Sequence, residues 1–370
     1  MNVKQMLEVV SGRAGQELTQ ANVNGKKLKD LLLDIYNLRL QDFNARYEWP
    51  WREKTTTLQT IANYIEGTVT ITNGSRTVTG SGTTFTSAMV GRFLKLSRDN
   101  DIYEILAVTN STTLVLKQPY IGTGDSGLAY LIWNRYYNLP PDVPMNADIM
   151  LWQYPYHTNQ ISKDRIGVSF QRGWESGYPS AWSWGRINRI NSIYTIAAAV
   201  TTTQNSKTLT GNATTFIGNV FEGSLITIGV NTYNVESVDS DIQITMVQNA
   251  IASVSNQNAT FETGSRQTFV LFSTPDPVVN LNITYPKQTY NLKNDNDTTE
   301  IWPGFEHILE NAIYGELLDK LTSDKAFQWL TIYERQIISA WNSICNTDSP
   351  ETATLYSTRT ISNYRSGLYG

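Results

Sequence analysis

One cysteine, two histidines and a low content of charge set the first limits on this 370-residue chain. Cys345 has no second cysteine to pair with, which excludes an internal disulfide framework and a cysteine-rich zinc site. With only His157 and His307, a histidine-based triad needs one of them beside an activated nucleophile, and no Gly-x-Ser-x-Gly elbow occurs. Charged residues make up 17%, against the quarter or so usual in a soluble domain. That shortfall implies that partner subunits cover part of the surface. No block of Lys or Arg occurs and the net charge is −4, which argues against electrostatic wrapping of nucleic acid, although an acidic lumen suits a conduit for it. No apolar run is long enough to span a membrane, and Met1 to Gly12 carries no apolar stretch flanked by basic residues. The expectation is a soluble product of the cytosol without membrane contact.

Aromatic residues, by contrast, are plentiful: ten Trp, twenty Tyr and eleven Phe, side chains that dominate burial in cores and interfaces. The length favours two or three domains. From Gly25 the apolar positions Leu28, Leu31, Leu32, Ile35, Leu38 and Phe43 recur at three and four, the stripe of an amphipathic helix, with Asn24 as its cap. The stripe runs into Tyr47-Glu48-Trp49-Pro50-Trp51, where Pro50 ends or kinks it. From Gly67 the text becomes rich in Thr, Ser and Gly, with short alternating apolar runs and turns such as Asn73-Gly74, which predicts a small all-β module. The same text then returns. Val69 through Gly80-Ser81-Gly82-Thr83-Thr84-Phe85 aligns without gaps on Val200 through Gly211-Asn212-Ala213-Thr214-Thr215-Phe216, and Tyr103-Glu104-Ile105 matches Tyr233-Asn234-Val235 further on. A spacing of 131 residues is too long for a solenoid, so the chain holds two copies of one β fold separated by other structure.

Helical grammar resumes near the end. Pro303 stands where a first-turn proline would, ahead of Phe305, Ile308, Leu309, Ala312, Ile313, Leu317 and Leu321. Ser323 caps a second stripe of Ala326, Leu330, Tyr333, Ile337, Ala340 and Ile344, flanked by Phe327, Ile338 and Trp341. The short connection makes these helices antiparallel neighbours. An amphipathic helix must cover its apolar face, so the N-terminal helix is expected to pack on this hairpin, bringing the chain ends together. The predicted fold is therefore α+β. A discontinuous helical-bundle domain (1–66 with 286–345) carries a long insertion made of β module 1 (67–135), an irregular aromatic-rich connection (136–198) and β module 2 (199–285). Each module is a small barrel or sandwich, and an arm (346–370) follows.

Three stretches resemble the head-to-tail adaptor, or connector, proteins of tailed bacteriophages: the helix closing in Arg46-Tyr47-Glu48-Trp49-Pro50-Trp51; the β module from Gly67-Thr68-Val69 through Met89-Val90-Gly91-Arg92-Phe93 to Tyr137-Asn138-Leu139-Pro140-Pro141-Asp142; and the C-terminal opening that runs from Tyr285 through Leu292, Asp295 and Asp297 to Ile301-Trp302-Pro303, Phe305-Glu306-His307 and Ala312-Ile313-Tyr314-Gly315. They cover more than half of the chain; region 136–198 carries little of the likeness. The resemblance implies a virion structural protein, assembled in the bacterial cytoplasm, that forms a ring, commonly twelvefold, beneath the portal. The helical domains would pack on neighbouring copies, the arm would dock on the portal protein, and the far face would receive a downstream tail or nozzle protein. Genomic DNA would pass through without sequence-specific binding. The second β copy lies outside the usual small adaptor.

The candidate partner-binding residues are Tyr356, Arg359, Tyr364, Arg365 and Tyr369 in the arm, with Trp341 on the last helix; aromatic and Arg side chains are the types enriched at interface hot spots. No catalytic, cofactor or metal site is expected. His307 beside Glu306 reads as a helix-surface or interface histidine, and Cys345 as a small core residue. Asp295-Asn296-Asp297 with Glu300 lacks the glycine and spacing of a calcium loop and reads as a solvated or capping turn. Gly80-Ser81-Gly82 reads as a β turn. The rival to a ring protein is a receptor-binding adhesin whose β modules bind glycans, with Trp174, Tyr178, Trp182 and Trp184 as a stacking platform rather than core or interface anchors.

Overall fold

Helix α1 (Val3–Arg13) begins where Asn2 and Gln5 form a capping box: the Asn2 side chain accepts from Gln5 N–H at 2.9 Å and the Gln5 side chain accepts from Asn2 N–H at 3.1 Å. The computed structural model describes residues 1–18, 22–23, 25–99, 101–144, 147–153, 156–161, 176–188, 193–272, 274–275 and 278–347. Among these, three more α-helices occur: α2 (Leu28–Arg46), α3 (Glu306–Lys320) and α4 (Ala326–Thr347). With strands over much of the remainder, including a closed barrel, the fold is mixed α+β. The chain divides into two units. One comprises the described parts of Met1–Glu53, Ile193–Glu262 and Pro286–Gly370, and the other Lys54–Ser192 with Thr263–Tyr285.

In the first unit the four helices share one core. Met6, Leu7 and Val10 of α1, Leu32, Tyr36, Leu40 and Phe43 of α2, Ile308, Ala312 and Leu317 of α3 and Tyr333, Ile337 and Ile344 of α4 are all buried together. Gly315 lets α3 and α4 approach closely, since a Cβ there would lie 3.0 Å from Leu330. The helix starts differ from the sequence reading. Lys26–Lys27 pairs with Asn22–Val23 in a short hairpin, so α2 opens at Leu28, and Asn24 lies outside the described residues. Pro303 stands in a turn three residues ahead of α3, where Phe305 N–H donates to the Trp302 carbonyl at 3.1 Å. The same unit holds the second β copy as a closed barrel ordered 193–202, 208–211, 243–246, 231–240, 225–228, 254–262.

In the second unit the first β copy repeats that pairing. Its sheet runs 130–133, 93–96, 102–110, 113–116, 77–81, 68–71, 125–128. The two edges are consecutive pieces of chain separated by Ala129 alone, so one stretch spans both ends just as 254–262 does in the barrel. Equivalent bonds recur. Gly80 N–H donates to Thr112 and Gly211 N–H to Ile242; Ile121 N–H donates to the Tyr103 hydroxyl and Ile251 N–H to that of Tyr233. Gly80-Ser81-Gly82 ends a strand and turns through Gly82, whose φ is +68°. A Cβ at Gly80 would overlap Thr83, and one at Gly211 would overlap Thr214, which is why both copies keep glycine there.

The region read as an irregular connection contains regular pairing. Strands 136–138 and 181–188 join 266–272, while 150–153 joins 280–286, which also pairs with 53–59. Tyr137, Leu151, Trp182, Phe269, Leu281 and Ile283 are buried between these two four-stranded sheets. Strands 266–272 and 280–286 thus belong here rather than to β module 2, and 193–198 opens the barrel instead of closing the connection. The strands 136–138 and 150–153 are short, and their partners in 266–272 and 280–286 lie 130 or more residues away, so local text gives them little periodicity.

Candidate functional site

The helical end of the first unit gathers most of the residues that the sequence singles out. After α2 the chain turns at Pro50, and the three aromatic residues around it fold back as a stack. Trp49 lies 4.9 Å from Phe43 and 4.7 Å from Trp51 in near-parallel pairs, and its indole N–H donates to the Phe43 carbonyl at 2.7 Å. Trp341 of α4 stacks on Tyr47 at 4.9 Å and meets Trp49 edge-on at 5.6 Å. Trp302 reaches Trp51 edge-on at 5.7 Å. The Arg46–Trp51 motif is therefore a clamp tying α2 to α4 and to the approach of α3. Trp341, expected at a partner interface, remains half-buried with one part of its ring committed to this clamp. Tyr356, Arg359, Tyr364, Arg365 and Tyr369 lie outside the described residues.

The bundle leaves several large apolar side chains uncovered. Phe327 is 80% exposed and Ile338 48%, eleven residues and about three turns apart on α4. Leu38 of α2 and Trp302 are also exposed. Charged side chains brace the covered parts. Arg13 lies between the rings of Tyr314 (4.5 Å) and Trp329 (4.7 Å) and pairs with Glu310. Arg39 pairs with Glu316, which also takes Lys320 at 3.2 Å. Burial alone would raise the Glu316 carboxyl, but hydrogen bonds from Arg39 and Lys320 outweigh it and hold the group below the ordinary range. The Tyr333 hydroxyl donates to Asp42 at 2.9 Å, and burial beside that carboxylate pushes its ionisation far above the usual phenol value.

The acidic turn ahead of α3 is organised around Asp297, which is fully buried. Its carboxylate accepts from the N–H groups of Asn249 (2.7 Å), Lys293 (2.9 Å) and Asn294 (2.9 Å) and from the Asn249 side chain (3.1 Å). Its carbonyl takes the Val3 N–H at 2.9 Å. One residue thus links the barrel loop, the α3 approach and the start of α1. Asp295 pairs with Lys29 at 2.7 Å and Glu300 with Lys287, so the acidic side chains of this turn point to separate partners. Among the described residues no group of three His, Cys, Asp or Glu side chains is placed to hold a metal ion. His307 is exposed in the first turn of α3, and the neighbouring Glu306 carboxylate is taken by the Met1 amino group. Cys345 is half-buried near the end of α4, and the His157 side chain lies outside the described residues.

Of the aromatic platform, Trp182 is 1% exposed in the core between the sheets, with Trp184 edge-on to it at 5.3 Å. Tyr178 is exposed, and Trp174 lies outside the described residues. Sequence reasoning missed Arg13, which lies on no stripe and in no motif, and placed Asp297 only in a solvated or capping turn; its pairing with Asn249, 48 residues away, and its full burial show it to be a junction instead. No described helix is long and apolar enough to cross a membrane. No protein-family model matches the chain, and no curated protein matches it.

Proposed function

We propose that this chain is a non-enzymatic structural subunit of a phage particle, one of about a dozen copies closing a ring at the head-to-tail junction between the portal and the tail. The observation that carries the reading is the single core built from both chain ends, with α1 and α2 packed on α3 and α4 and both β copies inserted between α2 and α3. That arrangement follows from the apolar stripes at both ends of the chain, which are also stretches that carry the adaptor resemblance. The uncovered Phe327 and Ile338 on α4 support it further, since an apolar helix face in water calls for another subunit. Burial of Trp182 weighs against the adhesin alternative, because a ring inside a core cannot stack on a sugar.

The test is to mix the full chain with the portal assembly and to image and weigh the product. A closed ring of identical subunits seated on the portal is expected; a monomer with no affinity for the portal refutes the proposal, and a trimer with glycan affinity favours the adhesin. Removing residues 346–370 is expected to abolish co-purification with the portal. Undiminished binding removes the docking role of Tyr356, Arg359, Tyr364, Arg365 and Tyr369.

A further inference from the structure

The two β copies share one framework, but their charges have diverged in opposite directions. Residues 67–135 hold six Lys/Arg against four Asp/Glu, a net +2, whereas the equivalent 198–264 hold one against five, a net −4. The positive charge of the first copy is concentrated along one edge. Arg135 lies over the rings of Phe93 (5.5 Å) and Tyr136 (5.6 Å), and Arg186, from the adjoining sheet of the same unit, lies over Tyr136 at 4.5 Å. Lys95 lies two residues from Phe93 on the same strand, and Arg92 immediately precedes that strand, its Nε donating to the Ala88 carbonyl at 3.1 Å. Lys117 and Arg186 converge on the Glu104 carboxylate at 2.9 and 3.1 Å, and their side chains remain 53% and 46% exposed. Two of these five cations thus share one carboxylate.

Strand pairing identifies the counterparts in the second copy. Phe93 opposite Glu104 corresponds to Leu225 opposite Asn234, Ile105 opposite Leu116 to Val235 opposite Met246, and Phe93 opposite Trp133 to Leu225 opposite Glu262. Arg92, Lys95, Lys117 and Arg135 therefore fall on Ser224, Thr227, Val247 and Gly264. The barrel closes with none of the four, so the framework does not require these cations.

We infer that this edge of the first β copy is a binding face for the phosphate backbone of duplex DNA. Guanidinium groups match phosphate oxygens in a fork geometry, and a duplex offers a dense row of them. The rings of Phe93 and Tyr136 are already covered by the chain's own arginines, which leaves no platform for unpaired bases and makes recognition blind to sequence. The chain is too acidic as a whole to wrap DNA, yet a local edge suffices for a passing contact. The inference goes beyond the ring reading and does not depend on assembly.

The test follows binding of the full chain to two unrelated labelled duplexes by fluorescence anisotropy across a salt series. It is compared with the variant R92S/K95T/K117V, whose new residues the second copy already accommodates. Equal binding of both duplexes is expected at low salt. The variant should bind at least about tenfold more weakly, with a log–log salt slope shallower by about 3, at roughly 0.9 per lost phosphate contact. If far-UV circular dichroism shows the triple variant unfolded, R135Q/R186Q replaces it with the same expectation of weaker binding and a shallower slope. Absence of wild-type binding, an unchanged affinity and slope, or displacement of DNA by poly-glutamate at equal charge overturns the inference. The last outcome reassigns the face to an acidic protein. None of these results bears on whether the chain forms a ring on the portal.

Discussion

Replacing Asp297 with Ala tests how the helical bundle and the barrel of the first unit are joined. The carboxylate serves three backbone N–H groups at 2.7–2.9 Å, one of them, Asn249, nearly inaccessible to water. A buried donor left without an acceptor costs about 1–3 kcal/mol, and the part-buried donors of Lys293 and Asn294 lose charge-assisted bonds while regaining some water. The sum is about 3–5 kcal/mol, a large share of the 5–15 kcal/mol or so that holds an ordinary domain together. Asp297→Asn keeps one acceptor oxygen but turns an amide donor toward other donors, so it should fall between wild type and Asp297→Ala. Urea unfolding followed by far-UV circular dichroism measures all three. A loss under about 1 kcal/mol for Asp297→Ala, or an Asn variant weaker than the Ala variant, refutes the account of this turn as a latch.

Trp49→Ala removes the centre of the aromatic stack, 1% exposed, and should cost about 3–5 kcal/mol by urea unfolding; a change below about 1 kcal/mol would show that the clamp contributes little. Gly211→Ala should cost about 1–3 kcal/mol by overlapping Thr214, whereas Gly12→Ala, where a Cβ meets open space within α1, should stabilise by about 0.5–1 kcal/mol. Thermal melts of both variants check the contrast, which fails if the two shift in the same direction. Glu316 has a folded pKa below its unfolded one, so its contribution is present above the ordinary carboxylate range near about 4.3 and is lost as pH falls through the lowered folded value. The stability gap between wild type and Glu316→Gln should therefore narrow between about pH 5 and pH 3, and a gap that widens on acidification contradicts the assignment.

The helices were legible because their apolar positions recur at three and four, and the stripes Ile308, Leu309, Ala312, Ile313, Leu317 and Tyr333, Ile337, Ala340, Ile344 are the faces buried. The repeat was legible because the glycine–threonine contact at Gly80 and Thr83, and again at Gly211 and Thr214, constrains both copies to similar text. Helix α1 was passed over, although Val3, Met6, Leu7 and Val10 recur at three and four behind the Asn2 cap and could have revealed it. The pairing of the sheets around Trp182 was not legible, because it joins stretches such as 150–153 and 280–286 that no local pattern connects. Trp341 could be placed on a helix from its spacing, but not on Tyr47, since the stack is fixed by where two distant elements meet. The basic edge near Phe93 escaped notice because its cations come from four separate places along the chain.

The units are nested in the order of synthesis. The barrel segment Ile193–Glu262 interrupts the second unit, and that unit interrupts the first. The N–H of Val3 bonds the carbonyl of Asp297, and at about 5–20 residues per second a ribosome needs roughly 15–60 s after Val3 to deliver that partner. Through this interval the apolar sides of α1 and α2 await α3 and α4. A nascent chain in this state is a natural client for a chaperone, and slowing elongation after residue 53 should lengthen its exposure to aggregation and proteolysis.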